Sequence, residues 1–426
     1  MTDREYLFSL EQIGIKLGLE QIRLLLHALD RPDLAFPSIV IAGTNGKGSV
    51  TAMLERGLRA AGYRTGRYTS PHLTHIEERV AIDGVSIAPE TFDRLAAKIR
   101  EAAQTLPFPP SFFEATTALA LEAFREGGVD IAVLEVGLGG RLDAANAVAP
   151  ALSIITSIDL DHQQYLGDSI EKIAAEKAGI IKPGVSIVLG SNSDAVRAVI
   201  GQVAHDLRSA LIYAPDGVAT RVSMQDGVTS MTIKTPAGTM TDVRLGLRGR
   251  HQIDNAVTVV RALEALDLHS RHSVPASARR AALEGVRWPA RLEMRHWRDS
   301  EANAPVDVLI DGAHNPAGAR ALAAYLSEAF GRRLPIIFAA MHDKDLDGLV
   351  CALAASASAF VCTRLQSPRA ADPRELTARI AALAPRVTVL ATDTAAAALA
   401  AAAPLGQPVV VAGSLYLAGE IRELLS

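Results

Sequence analysis

One segment, Gly43-Thr44-Asn45-Gly46-Lys47-Gly48-Ser49, limits what this chain can fold into more than any other. It follows a short apolar run, Ser38–Ala42, and leads into an amphipathic stretch, Ser49–Ala61, that Gly62 stops. Such a run reads as a buried strand and the stretch after it as a helix. Three glycines between the two let the backbone curl until several N–H groups point inward, and the helix N-terminus adds a field that favours anions. Lys47 supplies a mobile positive charge for terminal phosphates, which completes a phosphate cradle. The common nucleotide pattern has glycine at 41 and serine or threonine at 48. Here Ile41 and Gly48 stand there, so the loop is a variant and Ser49 offers the hydroxyl near a metal. The plain alternative is a tight glycine turn with a solvated lysine.

The rest of the chain repeats the same rhythm. Thr65–Tyr68, Val129–Val136, Leu152–Ser157 and Val185–Leu189 read as buried strands, with helices over Phe92–Ala103, Ala115–Arg125 and Ser169–Ala178 between them. Short apolar runs alternating with helical stretches indicate β-α units and a parallel sheet. Residues 211–247 change to a period of two with turn signals at Pro215-Asp216-Gly217, Gln225-Asp226-Gly227 and Pro236-Ala237-Gly238, which reads as an antiparallel appendage. A helix resumes over Gln252–Leu266, and Arg271–Ala276 reads as a loop. A second α/β series follows, with strands at Val306–Ile310, Pro335–Ala340, Ala359–Thr363, Val387–Leu390 and Val409–Ala412. Asn315-Pro316 and Asp372-Pro373 mark helix starts. The expected fold class is α/β: an N-terminal P-loop-type parallel-sheet domain with a small antiparallel β appendage over 1–288, and a C-terminal Rossmann-like domain over 289–426.

Composition excludes several classes. Hydrophobic residues make up 49% of 426, too many for a disordered chain. Against 47 acidic residues stand 43 basic ones, a net charge of −4, which gives no electrostatic reason to expect nucleic acid or an anionic membrane as partner. The two cysteines, Cys351 and Cys362, read as buried thiols in a reducing compartment. No basic segment with an apolar run opens the chain, and the uncharged stretch Thr394–Gly419 is broken by Pro404 and Pro408, so a cytoplasmic protein is expected.

Ligands of an open parallel sheet bind at the carboxyl ends of its strands. The unusual polar residues fall there: Ser70 after Thr65–Tyr68, Glu135 inside an apolar run, and Asp159, Asp161 and His162 after Leu152–Ser157. If those strands are neighbours, a hydroxyl, a carboxylate and an imidazole converge on the phosphate loop and could hold a divalent cation. Each also has an ordinary reading, Glu135 as an arginine's partner and His162 as a cap. Gly137 to Asp143 is a second glycine-rich turn and fits a substrate loop. Lys177 closes a helix that faces the site. Taken out of water its amine loses its proton more easily and can react with carbon dioxide to give a carbamate. From sequence alone a solvated lysine before the stop glycine Gly179 is favoured. In the second domain Asp311 falls at a strand end, with His314 in the same motif; Arg291 lies at the junction, and Asn255 opens the helix after the hairpins. Residues of two domains would thus close round one nucleotide and keep water from a reactive intermediate.

Together these motifs resemble the folylpolyglutamate synthase family, including its bacterial bifunctional dihydrofolate synthase members, with the Mur cell-wall amide ligases as wider relatives. The matching stretches are Leu17–Glu20, Gly43–Ser49, Ser70–Leu73, Phe113-Glu114, Leu134–Asn146, Thr156–Gly167, Glu176–Ile180, Asp311–Pro316, His342–Asp345 and Gly413–Leu415, in order along nearly the whole chain. The resemblance implies that Asn45, Gly46, Lys47, Gly48 and Ser49 bind ATP phosphates, with Asn255, Arg291 and Asp311 as further ATP contacts. It implies Ser70, Glu135 and His162 as magnesium ligands, Lys177 as a carboxylated (carbamylated) lysine, and His314 on the C-terminal side of the site. Ile15, Phe113 and the Leu142-Asp143-Ala144 turn would line the pterin pocket. The implied reaction is ATP-dependent amide formation through an acyl phosphate, joining L-glutamate to dihydropteroate or reduced folates. ATP and Mg2+ are the cofactors, room is left for a monovalent cation, and a monomer is expected.

Two other readings compete. Mur-type cell-wall ligases place a UDP-binding domain before the phosphate loop, and only 42 residues precede Gly43 here. A nucleotide switch that is no ligase would have no evident use for Lys177 beside a metal-ligand set, and the Asn-Lys-x-Asp guanine motif is absent.

Overall fold

The computed structural model describes residues 1–14, 18–225, 227–269, 272–298 and 305–425. The chain divides into two compact units, Met1–Arg221 with Met231–Val243 and Ile253–Val286, and Arg287–Ser426 with Val222–Ser230 and Arg244–Gln252. The last two pieces belong to the second unit, although a division at residue 288 assigns them to the first.

In the first unit the strands are β1 (Ser38–Ala42), β2 (Thr65–Tyr68), β3 (Val80–Ile82), β4 (Val85–Ser86), β5 (Ile131–Glu135), β6 (Pro150–Ile155), β7 (Ile187–Leu189) and β8 (Leu211–Tyr213). They form one sheet in the order β4-β3-β2-β5-β1-β6-β7-β8. Every pair from β2 to β8 is parallel, and β3 and β4 add an antiparallel edge. β1 and β5 are buried at every residue, as expected for central strands covered on both faces. One expectation fails at the margin. Leu211–Tyr213 is not part of the antiparallel set; it is the parallel edge strand that the helix Asp194–Asp206 returns to the sheet. Three residues are too few to show a period. Residues 272–275 form the expected loop up to the helix Ala276–Leu283, which is packed by Ala278, Ala282 and Leu283; Arg271 lies outside the described residues.

The appendage comprises β9 (Ala219–Gln225), β10 (Val228–Thr235) and β11 (Gly238–Arg244), in the order β11-β10-β9. The helix His251–His269 follows.

The second unit carries β12 (Glu293–Trp297), β13 (Val306–Ile310), β14 (Leu334–Phe338), β15 (Ala357–Cys362), β16 (Thr388–Ala391) and β17 (Val409–Ala412), ordered β12-β13-β17-β14-β15-β16. Only β12 is antiparallel. Asn315 and Asp372 cap their helices as their sequence context suggests. Its core joins Leu309, Leu326, Phe338, Phe360 and Val410. Of the two thiols only Cys362 is buried; Cys351 is exposed. Its helix, Leu346–Ala354, turns Leu349, Val350 and Leu353 inward instead. Among the described residues no helix is long and apolar enough to cross a membrane.

Candidate active site

Four strands at the middle of the first sheet, β2-β5-β1-β6, deliver the site. Their registers pair Tyr68 with Leu134, Ile41 with Glu135 and Ala42 with Ile155. The segments leaving them, 43–49, 69–72, 136–143 and 156–162, therefore emerge side by side at the carboxyl edge, where an open α/β sheet binds ligands.

The phosphate loop is pressed onto the exit of β6. Gly43 has φ +155°, and a Cβ there would lie 1.8 Å from Thr156 Oγ1. The Thr44 amide donates to the Ser157 carbonyl at 2.7 Å, and Thr156 Oγ1 donates to the Asn45 carbonyl at 2.7 Å. Gly46 has φ +86°, and a Cβ there would meet Asn255 Oδ1 at 2.5 Å. Asn255 thus stands against the loop. The helix Lys47–Ala60 starts at once, so Lys47, Gly48 and Ser49 form its first turn. Lys47 Nζ donates back to the carbonyls of Gly43 at 3.1 Å and Thr44 at 3.3 Å.

Lys177 is not solvated. Its side chain is 4% exposed, and Nζ donates at 2.9 Å to the Gly43 carbonyl, the oxygen that Lys47 also reaches. Burial above all, and then the charge of Lys47, lower its pKa from 10.5 to about 7 against the opposing pull of Asp161 and Asp143. Gly179 is no left-handed stop, since its φ is −62°. It is glycine because a Cβ would lie 2.2 Å from Arg141 Cβ, and a Cβ on Gly140 would lie 2.9 Å from the carbonyl oxygens of Glu176 and Lys177. The second glycine-rich turn is thereby clamped to the helix that carries Lys177. Arg141 adds an ion pair to Glu176 at 2.8 Å.

Ser70 and Glu135 meet. Glu135 is 5% exposed, and the Ser70 amide lies 3.4 Å from its Oε2. His162 stands on the exit of β6, on the far side of β1 from Glu135, with φ +51°, at the start of the short helix Gln163–Leu166. Its Nε2 is 3.9 Å from Asp161 Oδ1. Among the described residues no three His, Cys, Asp or Glu side chains cluster as a cage for a metal. A serine whose backbone meets a buried carboxylate nevertheless suits magnesium, which takes few protein oxygens and fills its remaining positions with phosphate and water.

Phe113 and the Leu142-Asp143-Ala144 turn are brought together. A Cβ on Gly137 would lie 2.6 Å from the Phe113 ring. Asp143, expected as a substrate contact, bonds to the backbone of its own turn. Its Oδ2 accepts from the amides of Gly137 and Leu138 at 3.0 and 2.9 Å, and its Oδ1 from Ala145 at 2.9 Å. Burial pushes its pKa up to about 7 despite those three donors. The carboxylate holds the glycine turn in shape. Leu142 accepts from the Gly18 amide at 3.4 Å; Ile15 lies outside the described residues. The sequence reading missed Arg79, whose Nε donates to His72 Nδ1 at 2.9 Å while its guanidinium carbon sits 5.1 Å from the Phe112 ring centroid. Nothing in its local pattern marks it.

Within the second unit, Asp311 ends β13 and accepts from the amides of Leu292 at 3.0 Å and Ala313 at 2.9 Å. Burial raises its pKa, and Arg291 opposes the rise. Arg291 Nη1 donates to the Ala290 carbonyl at 2.9 Å. His314 Nδ1 donates to the Gly312 carbonyl at 2.8 Å. His251, half-buried, is pushed down to about 4 by desolvation and the charge of Arg291.

Residues 41–263 match the Mur ligase middle domain, and residues 291–415 the Mur ligase glutamate ligase domain. A Mycobacterium tuberculosis dihydrofolate synthase/folylpolyglutamate synthase is 36% identical over 84% of this chain and 76% of its own. A probable bifunctional folylpolyglutamate synthase/dihydropteroate synthase of Haloferax volcanii is 35% identical over 98% of this chain, which spans about half (49%) of that relative's length. Crystal structures of Mycobacterium tuberculosis folylpolyglutamate synthase complexed with ADP and AMPPCP superpose with a TM-score of 0.89, at 34% identity over 99% of this chain and 98% of that one.

Proposed function

The chain belongs to the folylpolyglutamate synthase family of the Mur ligase superfamily, and from that premise we propose that it is an ATP-dependent ligase joining L-glutamate to dihydropteroate, to reduced folates or to both. The observation that carries the reading is the pair of ammonium groups, Lys47 and Lys177, on the one Gly43 carbonyl at the edge of the phosphate loop. A switch protein needs the first lysine but not a buried second one.

The acceptor's carboxylate attacks the γ-phosphoryl group; the bond to the bridging oxygen breaks and ADP leaves. The amine of glutamate then attacks the acyl phosphate, phosphate departs and the amine's proton is released. The loop from Asn45 to Ser49, with the first turn of the Lys47–Ala60 helix, holds the phosphates. Lys47 swings from its carbonyls to the charge that develops on the transferring group. Ser70, Glu135 and His162 are assigned the divalent cation, which supplies Lewis-acid neutralisation of phosphate charge. Lys177 at a pKa of about 7 is partly neutral near physiological pH, the form that reacts with carbon dioxide. Its carbamate would place a negative charge beside Lys47. The turn shaped by Asp143 and seated on Phe113 receives the pterin. Asn255, Arg291 and Asp311 are assigned to ATP and His314 to the glutamate side.

The test is a substrate panel with purified protein, ATP, magnesium and glutamate, offering dihydropteroate or tetrahydrofolate as acceptor. ADP release that requires both glutamate and a pterin acceptor supports the proposal. ADP release indifferent to the acceptor would favour the switch, and turnover only with a UDP-linked peptide precursor would favour a cell-wall ligase.

A further inference from the structure

Behind the strand exits, on one face of the first sheet, lies a buried charged group with no part in the roles above. Glu55 projects from the Lys47–Ala60 helix with its side chain 3% exposed. It accepts from Thr65 Oγ1 at 2.8 Å, and Arg59 Nε stands 3.4 Å away. Arg67 Nη1 reaches its other oxygen at 3.9 Å, and the Arg67 side chain is itself only 13% exposed. In the register of β2 and β5, Arg67 pairs with Val133. Paired residues of parallel strands share a face, and so do residues two apart along a strand. Arg67 therefore lies on the face of Val133 and of Glu135, one step below the strand end where Glu135 meets Ser70. Gly66 and Tyr68 turn the opposite way, to Phe124 and to Thr116 and Thr117. The electrostatics agree. Burial pulls the Arg67 guanidinium below its ordinary value, while both Glu55 and Glu135 act to raise it. An ion taken this far out of water persists only with charged partners; here Arg67 has a carboxylate on either side, and Glu55 is shared with Arg59, whose charge acts on Arg67 in the opposite sense.

We propose that Arg67, held between Glu55 and Glu135, is the resident counter-cation of the metal-ligating carboxylate, and that the Glu55–Arg67 pair sets how tightly this enzyme holds its divalent cation. The inference rests on the assignment of Glu135 as a metal ligand. An incoming cation meets a carboxylate whose field Arg67 already partly cancels, and Glu55 in turn draws off part of the arginine's charge. The two members of the pair therefore act on the metal with opposite signs. A role in folding alone would not separate them in that way.

The experiment titrates Mn2+ into the full chain in the presence of a non-hydrolysable ATP analogue and reads the free ion by electron paramagnetic resonance, with thermal unfolding measured on the same samples. Arg67→Met tightens the Mn2+ Kd by about fivefold or more, and Glu55→Gln weakens it by a similar factor, the scale of one nearby charge at an effective protein dielectric. Glu135→Gln is the control. If it leaves Mn2+ binding as in the wild type, the metal assignment fails and this inference goes with it. If it loses Mn2+ while Arg67→Met and Glu55→Gln shift the Kd the same way, or leave it unmoved, the inference alone is overturned. Should Arg67→Met not fold, Glu55→Gln, which can still accept from Thr65, decides the matter: binding that is unchanged or tighter overturns the proposal.

Discussion

Replacing Lys177 by methionine should stabilise the protein and stop its chemistry. Methionine is close in volume and carries no charge, so it separates the cost of the buried ammonium from the filling of space. In the unfolded chain the lysine titrates near 10.5, and in the fold at about 7. At about 1.36 kcal/mol for each pH unit between those values, the buried ammonium costs about 5 kcal/mol. The sign follows from proton counts. Below about pH 7 both states hold the proton and the full cost applies. Between 7 and 10.5 the unfolded state binds more protons, so stability rises with pH, and above 10.5 the cost is gone. At pH 8 about 3 kcal/mol remains. Losing the hydrogen bond to Gly43 returns about 1 kcal/mol of that, because Lys47 still satisfies the same carbonyl. The variant should therefore gain about 2 kcal/mol at pH 8 and show a flatter stability–pH profile than the wild type. Urea unfolding from pH 6 to 9 in buffer freed of carbon dioxide measures both. Mass measurement in bicarbonate should find one added carbon dioxide on the wild type and none on the variant. A Lys177→Met protein no more stable than the wild type, or one that turns over normally, would refute the argument.

Lys47→Ala removes the loop's only formal positive charge, and ADP release in the complete substrate mixture should fall by about a thousandfold or more. Gly43→Ala drives a Cβ into Thr156; isothermal titration with an ATP analogue should show binding weakened by at least about tenfold, with the fold retained by circular dichroism. Asp143→Asn turns one acceptor of the Gly137, Leu138 and Ala145 amides into a donor. It should cost about 1–3 kcal/mol in urea unfolding and raise KM for the pterin acceptor more than for ATP.

The strands that bear the site were legible because they are buried on both faces and bounded by turn residues. Ser38–Ala42, Val306–Ile310 and Val409–Ala412 fall where their largely apolar runs begin and end, and Thr65–Tyr68 has the bounds read for it although its sequence is Thr-Gly-Arg-Tyr. The phosphate loop was legible for the same local reason. Lys177 was not: sequence alone favours a solvated side chain before a stop glycine, and only the resemblance pointed otherwise. Its burial depends on Gly140 and Gly179 admitting a neighbouring loop, a contact between segments some forty residues apart. Asp143 shows a related limit. A carboxylate in a glycine turn reads as a ligand for substrate, yet its three partners are backbone amides that no side-chain pattern reveals. Arg67 and Glu55 looked like ordinary positions on a strand and a helix, since the register that sets them beside Glu135 exists only once β2 and β5 pair.

That register makes the site sensitive to length in an uneven way. Side chains alternate along a strand, so losing a single residue inside Ile131–Glu135 would turn the surviving carboxylate to the opposite side of the sheet, among Phe124 and its neighbours. Lengthening the hairpins at 219–244 by a residue or two leaves every strand exit where it was. Chains of this architecture should thus drift freely in the size of their outer ribbons while the count of residues from Ser38 to Ala42 and from Ile131 to Glu135 stays fixed.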